Sequence, residues 1–175
     1  MDEANRAARS AEVTPVPRVV TATVAPGRGS VQDDVAAIVV DAVDAARLTF
    51  VRNVSVNREK QFIQELVLHL ANRNEADAII LVGGVGIGPR DYTCEAVDGI
   101  VHRRLEGFGE AYRQLLRDQL GAGADASLQR AAAGVYNKCL VFALPRQPEP
   151  VRQAMRLLVI PTLREAMRIA TGRRA

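Results

Sequence analysis

Tryptophan is absent from the 175-residue sequence, and aromatic residues together make up only 4% of it. Proteins that bind single-stranded nucleic acid stack bases on aromatic side chains, so such a surface is poorly supplied here. The formal net charge is only +3, and the pI of 9.2 owes much to arginines near the C-terminus, such as Arg173 and Arg174. We therefore expect no nucleic-acid partner.

Cysteines and long apolar runs are scarce as well. The two cysteines, Cys94 and Cys139, lie far apart and form no CxxC pair, which argues against a zinc or redox motif and favours a reducing compartment. The first residues lack the apolar run of a secretory signal, and no apolar stretch reaches the length of a bilayer span. We expect a cytoplasmic protein with no membrane partner.

What the sequence does contain is an alternation of strand-like and helix-like segments. Residues 1–17 are polar and end in TPVP, which predicts a flexible N-terminal arm, and residues 18–175 are predicted to form one domain. Apolar or β-branched runs predict strands at RVVTATV, LTFVRNV, AIILV and CLVFAL. Apolar residues at three- and four-residue spacing predict helices between them, including residues 33–46 and a helix that contains Val97 and Val101, and Pro161 is expected to interrupt the last one. This order predicts an α/β fold with a mainly parallel sheet and helices on both faces.

A glycine-rich segment, GGVGIGPRD, directly follows the apolar strand AIILV. Ligands of such sheets bind beyond the carboxyl ends of the strands. Glycines permit positive φ angles, so the segment can turn backbone N–H groups toward an anion or a polar ring. Its spacing matches neither the dinucleotide fingerprint GxGxxG nor a Walker A loop. The alternative is a tight strand-to-helix turn that needs glycine for structural reasons alone.

Two carboxylates, Asp91 and Glu95, lie four residues apart around Thr93 near the predicted start of a helix. Two carboxylates in this position can hold Mg²⁺ beside the phosphates of a nucleotide. They can equally be structural, because Asp91 or Thr93 would cap the helix and Glu95 would sit in its first turn. The spacing by itself favours the cap.

Three stretches in succession, GGVGIGPRDYTCEA, EGFGEAYRQL and LQRAAAGVYNKCLVFALP, resemble the signature stretches of the MoaB/Mog family of molybdenum-cofactor proteins. The family patterns are approximately GGTG-x-x-x-RD-x-TPEA, PGFGE-x-(F/Y)R, and SRA-x-AGV followed by a strand that ends in LPGSP. The likeness extends over most of the chain from Arg18 onward. It implies a three-layer α/β sandwich that forms a homo-oligomer, a trimer or a hexamer, and binds molybdopterin. In active members it also implies transfer of AMP from Mg-ATP to the terminal phosphate of molybdopterin.

The resemblance also implies roles for particular residues. Asp91 and Glu95 would be catalytic, and Asp91 would hold the metal. The ligand would be bound by Gly83, Gly84, Val85, Gly86, Gly88, Arg90, Thr93, Arg130, Pro145 and Arg146.

The sequence departs from the family pattern at several of the loops that would face the ligand. Val85 replaces a threonine and Cys94 a proline, while Arg58 stands where the family has an acidic residue, unless Glu59 substitutes for it. Arg146 occupies the glycine position of the PGS turn, and Gln129 replaces the serine before Arg130. Polar residues expected after the first strand are replaced by Thr23 and Val24 and by residues 31–34.

Two functions are consistent with this pattern. The first is a molybdopterin adenylyltransferase, with Mg²⁺ and ATP as cofactors. The second is a catalytically degenerate oligomer of the same fold, a pseudoenzyme that acts as a carrier, regulator or protein-interaction scaffold. The departures at the ligand-facing loops favour the second function modestly. We assign no role to His69 or His102, which we expect at the surface.

Overall fold

The computed structural model of the chain describes residues 16–25, 34–121 and 123–170. The predicted arm, except for its last two residues, lies outside these ranges, as do residues 31–33 and the C-terminal Arg173 and Arg174. The strands are β1 (Arg18–Ala25), β2 (Thr49–Asn57), β3 (Ala78–Val82), β4 (Arg103–Arg104), β5 (Ala132–Tyr136) and β6 (Cys139–Leu144). The helices are α1 (Asp34–Ala45), α2 (Lys60–Asn72), α3 (Thr93–Asp98), α4 (Gly107–Leu120), α5 (Pro148–Ala154) and α6 (Ile160–Ala170). A short 3₁₀ turn, Ala124–Leu128, precedes β5.

The strands form one sheet in the order β2-β1-β3-β6-β5-β4. The pairs β1–β2, β1–β3 and β3–β6 are parallel, whereas β5 pairs antiparallel with both β6 and β4. β3 is buried at every residue. Its unbroken apolar sequence is typical of a strand that is covered on both faces. The mainly parallel sheet predicted from the sequence is confirmed.

Two hydrophobic cores lie on opposite faces of this sheet. Alternate strand residues point to each face, so Ile80 joins one core and its neighbours Ile79 and Leu81 the other. The first core packs the sheet against α1, α4 and the α5–α6 run, and the second packs it against α2 and α3. The result is the predicted three-layer α/β sandwich. Within the described ranges, no helix has both the length and the apolarity needed to span a bilayer.

The structure differs from the sequence prediction at several elements, since β4 and β5 were not predicted and β2 extends beyond LTFVRNV to Asn57. β5 begins with Ala-Ala-Gly, a sequence of low strand propensity. It forms because it pairs with β6, and not because of a strand-like pattern in its own sequence. α3 ends at Asp98, so Ile100 and Val101 pack on the second core from beyond the helix, and the predicted extension to Val101 is wrong. The interruption expected at Pro161 is a π-helical turn, Met155–Val159, inside a run that continues into α6.

Both cysteines belong to the second core and are only 3% exposed. Burial raises the pKa of the Cys94 thiol to about 11 and that of the Cys139 thiol to about 12. We expect neither thiol to react with a thiol-specific disulfide reagent at pH 8 in the folded chain, and both to react after unfolding in guanidinium chloride. Rapid labelling of the native protein would contradict the packing of these residues.

The same thiols predict a loss of stability at alkaline pH. An unfolded cysteine has a pKa of about 8.5, so between pH 9 and 11 the unfolded chain releases protons that the folded chain retains. The free energy of unfolding should therefore not depend on these groups below about pH 8 and should fall as the pH rises above 9. Urea titrations at a series of pH values measure this free energy for the parent chain and for a Cys94→Ala, Cys139→Ala variant. Above pH 9 it should fall more steeply with pH in the parent chain than in the variant.

Candidate ligand-binding site at the carboxyl edge of the sheet

The carboxyl ends of β1, β3 and β6 come into contact at one edge of the sheet. The Gly83 amide donates a 2.8 Å hydrogen bond to the Leu144 carbonyl. A Cβ atom on Gly83 would lie 2.9 Å from the Val24 carbonyl oxygen and 3.7 Å from the Cβ of Arg146. The two loops singled out from the sequence, after β3 and after β6, are therefore neighbours in space.

The glycine loop, residues 83–91, begins with two glycines in the left-handed region of backbone space. Gly83 has φ +107° and Gly84 has φ +64°. A Cβ atom on Gly84 would lie 2.6 Å from Oγ1 of Thr93 and 3.2 Å from Cγ1 of Val24. Conformation and close approach both require glycine here.

Thr93, the first residue of α3, holds the start of this loop. Its hydroxyl donates a 2.7 Å hydrogen bond to the Gly83 carbonyl, and its backbone amide donates to the Gly84 carbonyl at 2.9 Å. The side chain is completely buried. The residue at the N-cap of α3 is Tyr92, with no side-chain cap bond, so the alternative in which Asp91 or Thr93 caps the helix is wrong.

Asp91 closes the far end of the glycine loop. Its Oδ2 accepts a 3.0 Å hydrogen bond from the Gly88 amide, and its own amide donates to the Gly88 carbonyl at 3.0 Å. The same oxygen would lie 2.6 Å from a Cβ on Gly86 and 2.8 Å from one on Gly88. These two glycines leave room for the carboxylate inside the loop.

Arg130 binds the glycine loop from its other side. Its guanidinium donates to the Gly86 carbonyl at 3.2 Å and to Oε1 of Glu95 at 2.5 Å. The second oxygen of Glu95 is buried and has no hydrogen-bond partner among the described residues. Arg130 thus connects the loop after β3 to α3, and Glu95 is held by an arginine rather than left free beside Asp91.

These contacts leave the N–H groups in the middle of the glycine loop without an acceptor. The amides of Gly83 and Gly88 each have an acceptor. In the described part of the chain, the four consecutive N–H groups from Gly84 to Ile87 have none. Unbonded amides in a glycine loop at a strand end are the donors that backbone anion-binding sites use.

The other predicted ligand residues differ in how far their side chains are buried. Val85 is only 4% exposed and packs in the second core, so only its backbone faces the loop. Pro145 is buried, Arg146 is half-buried next to Gly83, and the side chain of Arg90 is exposed. Cys94, the other departure in this motif, is likewise a core residue.

Two features of the site were not found from the sequence. Ile87 is 68% exposed at the loop and Tyr92 is 43% exposed beside it, and an apolar residue between two loop glycines is the only signal that marks the first. A polar cavity of about 190 Å³ also lies behind Arg130. Its lining includes Asp98, Arg104, Glu110 and Arg113, so the GFGEAYR stretch forms part of its wall.

Comparison with known proteins identifies the family of this chain. Residues 10–165 match the family described as "Probable molybdopterin binding domain". The chain belongs to the MoaB/Mog family.

Two curated relatives and one solved structure show what this MoaB/Mog chain is similar to. It is 38% identical to molybdenum cofactor biosynthesis protein B of Bacillus anthracis over 110 residues. These aligned residues cover 62% of this chain and 63% of that protein. It is 33% identical over 99 residues to a protein of Methanocaldococcus jannaschii named "Probable molybdopterin adenylyltransferase", 57% of this chain and 60% of that protein. The chain thus spans less than two thirds of the length of these curated relatives. A crystal structure of a molybdenum cofactor biosynthesis protein B superposes with a TM-score of 0.85 at 27% identity, covering 91% of this chain and 98% of that one.

The departures from the MoaB/Mog pattern can now be placed. Val24 touches the glycine pair at the end of β1, and Arg146 lies beside it at the end of β6. Arg58 follows β2 at the same edge of the sheet and is half-buried. Residues 31–33 lie outside the described ranges.

The described carboxylates of this edge do not form a metal site built from protein ligands alone. Among the residues that the structure describes, no three His, Cys, Asp or Glu side chains come together in a group that could hold a metal ion. One oxygen of Asp91 is bonded within the glycine loop, and Glu95 is bonded to Arg130. Mg²⁺ beside a nucleotide uses only one or two carboxylates together with waters and phosphates, so the metal assigned to Asp91 stays a prediction.

Proposed function

We propose that this MoaB/Mog chain binds molybdopterin at the carboxyl edge of the sheet, with the terminal phosphate on the amides of residues 84–87. The observation that carries the proposal is the run of four unbonded N–H groups, flanked by amides that are bonded. Backbone amides in such a loop bind a phosphate without a specialised side chain. Arg90 and Arg146 add positive charge on either side of it.

Membership of the family and the names of the relatives support a role in molybdenum-cofactor biosynthesis. The name of the Methanocaldococcus relative supports a further step, AMP transfer from ATP to molybdopterin, and this chain retains Asp91, Thr93 and Glu95 of the family motif. In the opposite direction, Arg58 and Arg146 place positive charge where the family pattern has an acidic residue and a glycine. They support the second candidate, a pterin-binding carrier, regulator or scaffold without catalysis.

One experiment tests both candidates. The purified chain is incubated with molybdopterin, ATP and MgCl₂, and pterin binding and AMP-molybdopterin are measured separately. Binding without AMP transfer supports the carrier, binding with transfer supports the enzyme, and no binding at any accessible concentration refutes the proposed function.

A pair of variants at Asp91 tests the loop geometry. Asparagine keeps an oxygen that accepts the Gly88 amide, whereas alanine removes it. We expect Asp91→Asn to retain molybdopterin binding and Asp91→Ala to weaken it about fivefold, because a hydrogen bond that orders the loop contributes about 1 kcal/mol. Equal affinity of the two variants in fluorescence titrations would show that this bond does not shape the site. If the parent chain transfers AMP, Asp91→Asn should abolish the transfer while binding persists.

We also propose that the chain is a trimer or a hexamer assembled partly through α4. Within its GFGEAYRQL stretch, Tyr112 and Leu115 point into the first core, which leaves Glu110, Ala111 and Gln114 exposed on the outer face. Homo-oligomers of soluble proteins usually close by symmetry. Light scattering should therefore give a mass of three or six chains, and a monomer would contradict the proposal.

A further inference from the structure

We propose that the carboxyl edge binds a polyphosphate through Arg58, Arg90 and Arg146 and that this binding requires no divalent cation. The inference rests on the proposed function, because it takes this edge as the place where the ligand lies. It concerns the phosphate chain of a nucleoside triphosphate, which carries more negative charge than the single terminal phosphate of molybdopterin. Guanidinium groups would neutralise that charge directly.

The topology places two of these arginines on opposite flanks of the glycine loop. Arg58 follows Asn57, which is aligned with Ala25 at the end of β1. Arg146 follows the end of β6 and lies next to Gly83. Because β2 and β6 are three strand spacings apart in the order β2-β1-β3-β6, their ends are separated by about 14 Å. Long arginine side chains from both flanks can therefore approach one extended anion across the ends of β1 and β3.

The lack of a neighbouring carboxylate distinguishes these three arginines from many others in the described part of the chain. Carboxylates lie within 4.0 Å of Arg18, Arg52, Arg73, Arg104, Arg113, Arg130 and Arg152. Arg58, Arg90 and Arg146 have no carboxylate partner within the described ranges. A guanidinium that is half-buried and unpaired, as at positions 58 and 146, is stabilised by a bound anion.

Three acidic residues near this edge, Asp91, Glu95 and Glu59, do not pair with these arginines in the described part of the chain. Asp91 is turned into the glycine loop, and Glu95 is paired with Arg130. Glu59 is exposed and makes no ion pair with Arg58. The positive charges of Arg58, Arg90 and Arg146 are therefore not neutralised by these three carboxylates, and they attract phosphate oxygens and disfavour Mg²⁺.

Calorimetric titration of the full chain with ATP, in EDTA and again in MgCl₂, tests the inference. We expect ATP to bind in EDTA at least as tightly as with Mg²⁺, since the metal competes with the arginines for the same oxygens. Inorganic tripolyphosphate in EDTA should bind as well, because the arginines contact the phosphates and not the base. Arg58→Ala and Arg146→Ala should each weaken ATP binding about tenfold, the contribution of one charged hydrogen bond.

The control is Arg117→Ala, which removes an exposed arginine of α4 that has no carboxylate partner among the described residues and should leave the affinity unchanged. Arg58→Asp restores an acidic residue and should make ATP binding depend on Mg²⁺. If a variant fails to fold by circular dichroism, the parent chain still decides the matter, because arginine-only binding in EDTA should weaken steeply between about 50 and 200 mM salt.

ATP binding by the parent chain only in the presence of Mg²⁺, or no ATP binding at all, would overturn the inference. So would binding that is unchanged in both arginine variants or insensitive to salt. These results leave the proposed function standing if molybdopterin still binds. Conversely, metal-free ATP binding together with no molybdopterin binding would refute the proposed function and support the polyphosphate site.

Discussion

Replacing Gly84 with alanine should lower the free energy of unfolding by about 3 kcal/mol and abolish molybdopterin binding. Two costs add at this position. An L-residue at φ +64° costs about 1 to 2 kcal/mol, and a methyl group 2.6 Å from Oγ1 of Thr93 cannot be accommodated without movement. Because the Thr93 hydroxyl donates to the neighbouring Gly83 carbonyl, that movement breaks the bond that positions the loop amides.

Gly121 offers a matched control for the backbone conformation. It has φ +60°, almost the same as Gly84, but a Cβ atom there meets nothing within 4 Å. Gly121→Ala should therefore cost only about 1 kcal/mol and leave binding unchanged. Urea denaturation and pterin titration of both variants separate the clash from the strain. Equal stability of the two, or intact binding in Gly84→Ala, would show that the loop does not depend on close approach at Gly84.

Much of the central fold could be predicted because its signals are local. AIILV and CLVFAL coincide with β3 and β6, since a strand buried on both faces has no polar interruption to blur its limits. α1, predicted at residues 33–46 from its apolar periodicity, agrees with Asp34–Ala45 within one residue at each end. β5 could not be predicted in the same way, because Ala132, Ala133 and Gly134 become a strand only through pairing with β6 and β4.

At the site, the sequence indicated which residues lie together but not what their side chains do. Val85 looked like a lost ligand contact, yet its side chain is in the core and only its backbone belongs to the loop. Asp91 and Thr93 looked like helix caps, yet both bond the glycine loop. These distinctions depend on the direction of each side chain at a turn, which neither composition nor spacing determines.

The unpaired arginines illustrate a second limit. Arg58 could be recognised as a departure because the family pattern has an acidic residue there. Whether it pairs with Glu59, with Asp91 or with nothing depends on the strand order, which brings the end of β2 to the same edge as the glycine loop. The consequence for metal dependence follows only once those partners are known.

Arg130→Ala should lower the free energy of unfolding by about 2 kcal/mol and weaken molybdopterin binding by about thirtyfold. The change removes the hydrogen bond to the Gly86 carbonyl and leaves Glu95, one of whose oxygens is already buried without a partner, with no counter-charge. The loss of stability is modest because both side chains are partly exposed, Arg130 by 32% and Glu95 by 43%. The larger effect falls on binding, since Gly86 lies in the middle of the unbonded amides.

Arg113→Ala is the matched control for Arg130→Ala. Arg113 lines the same cavity, is 26% exposed and pairs with Glu110 at 2.6 Å, but it does not touch the glycine loop. Its loss should change stability by at most about 0.5 kcal/mol and leave binding intact. Arg130→Lys should fall between the two, because a single ammonium group does not reproduce the planar fork that reaches both Gly86 and Glu95. If Arg113→Ala and Arg130→Ala weakened molybdopterin binding equally, the cavity behind Arg130, and not the glycine loop, would be the place where the ligand lies.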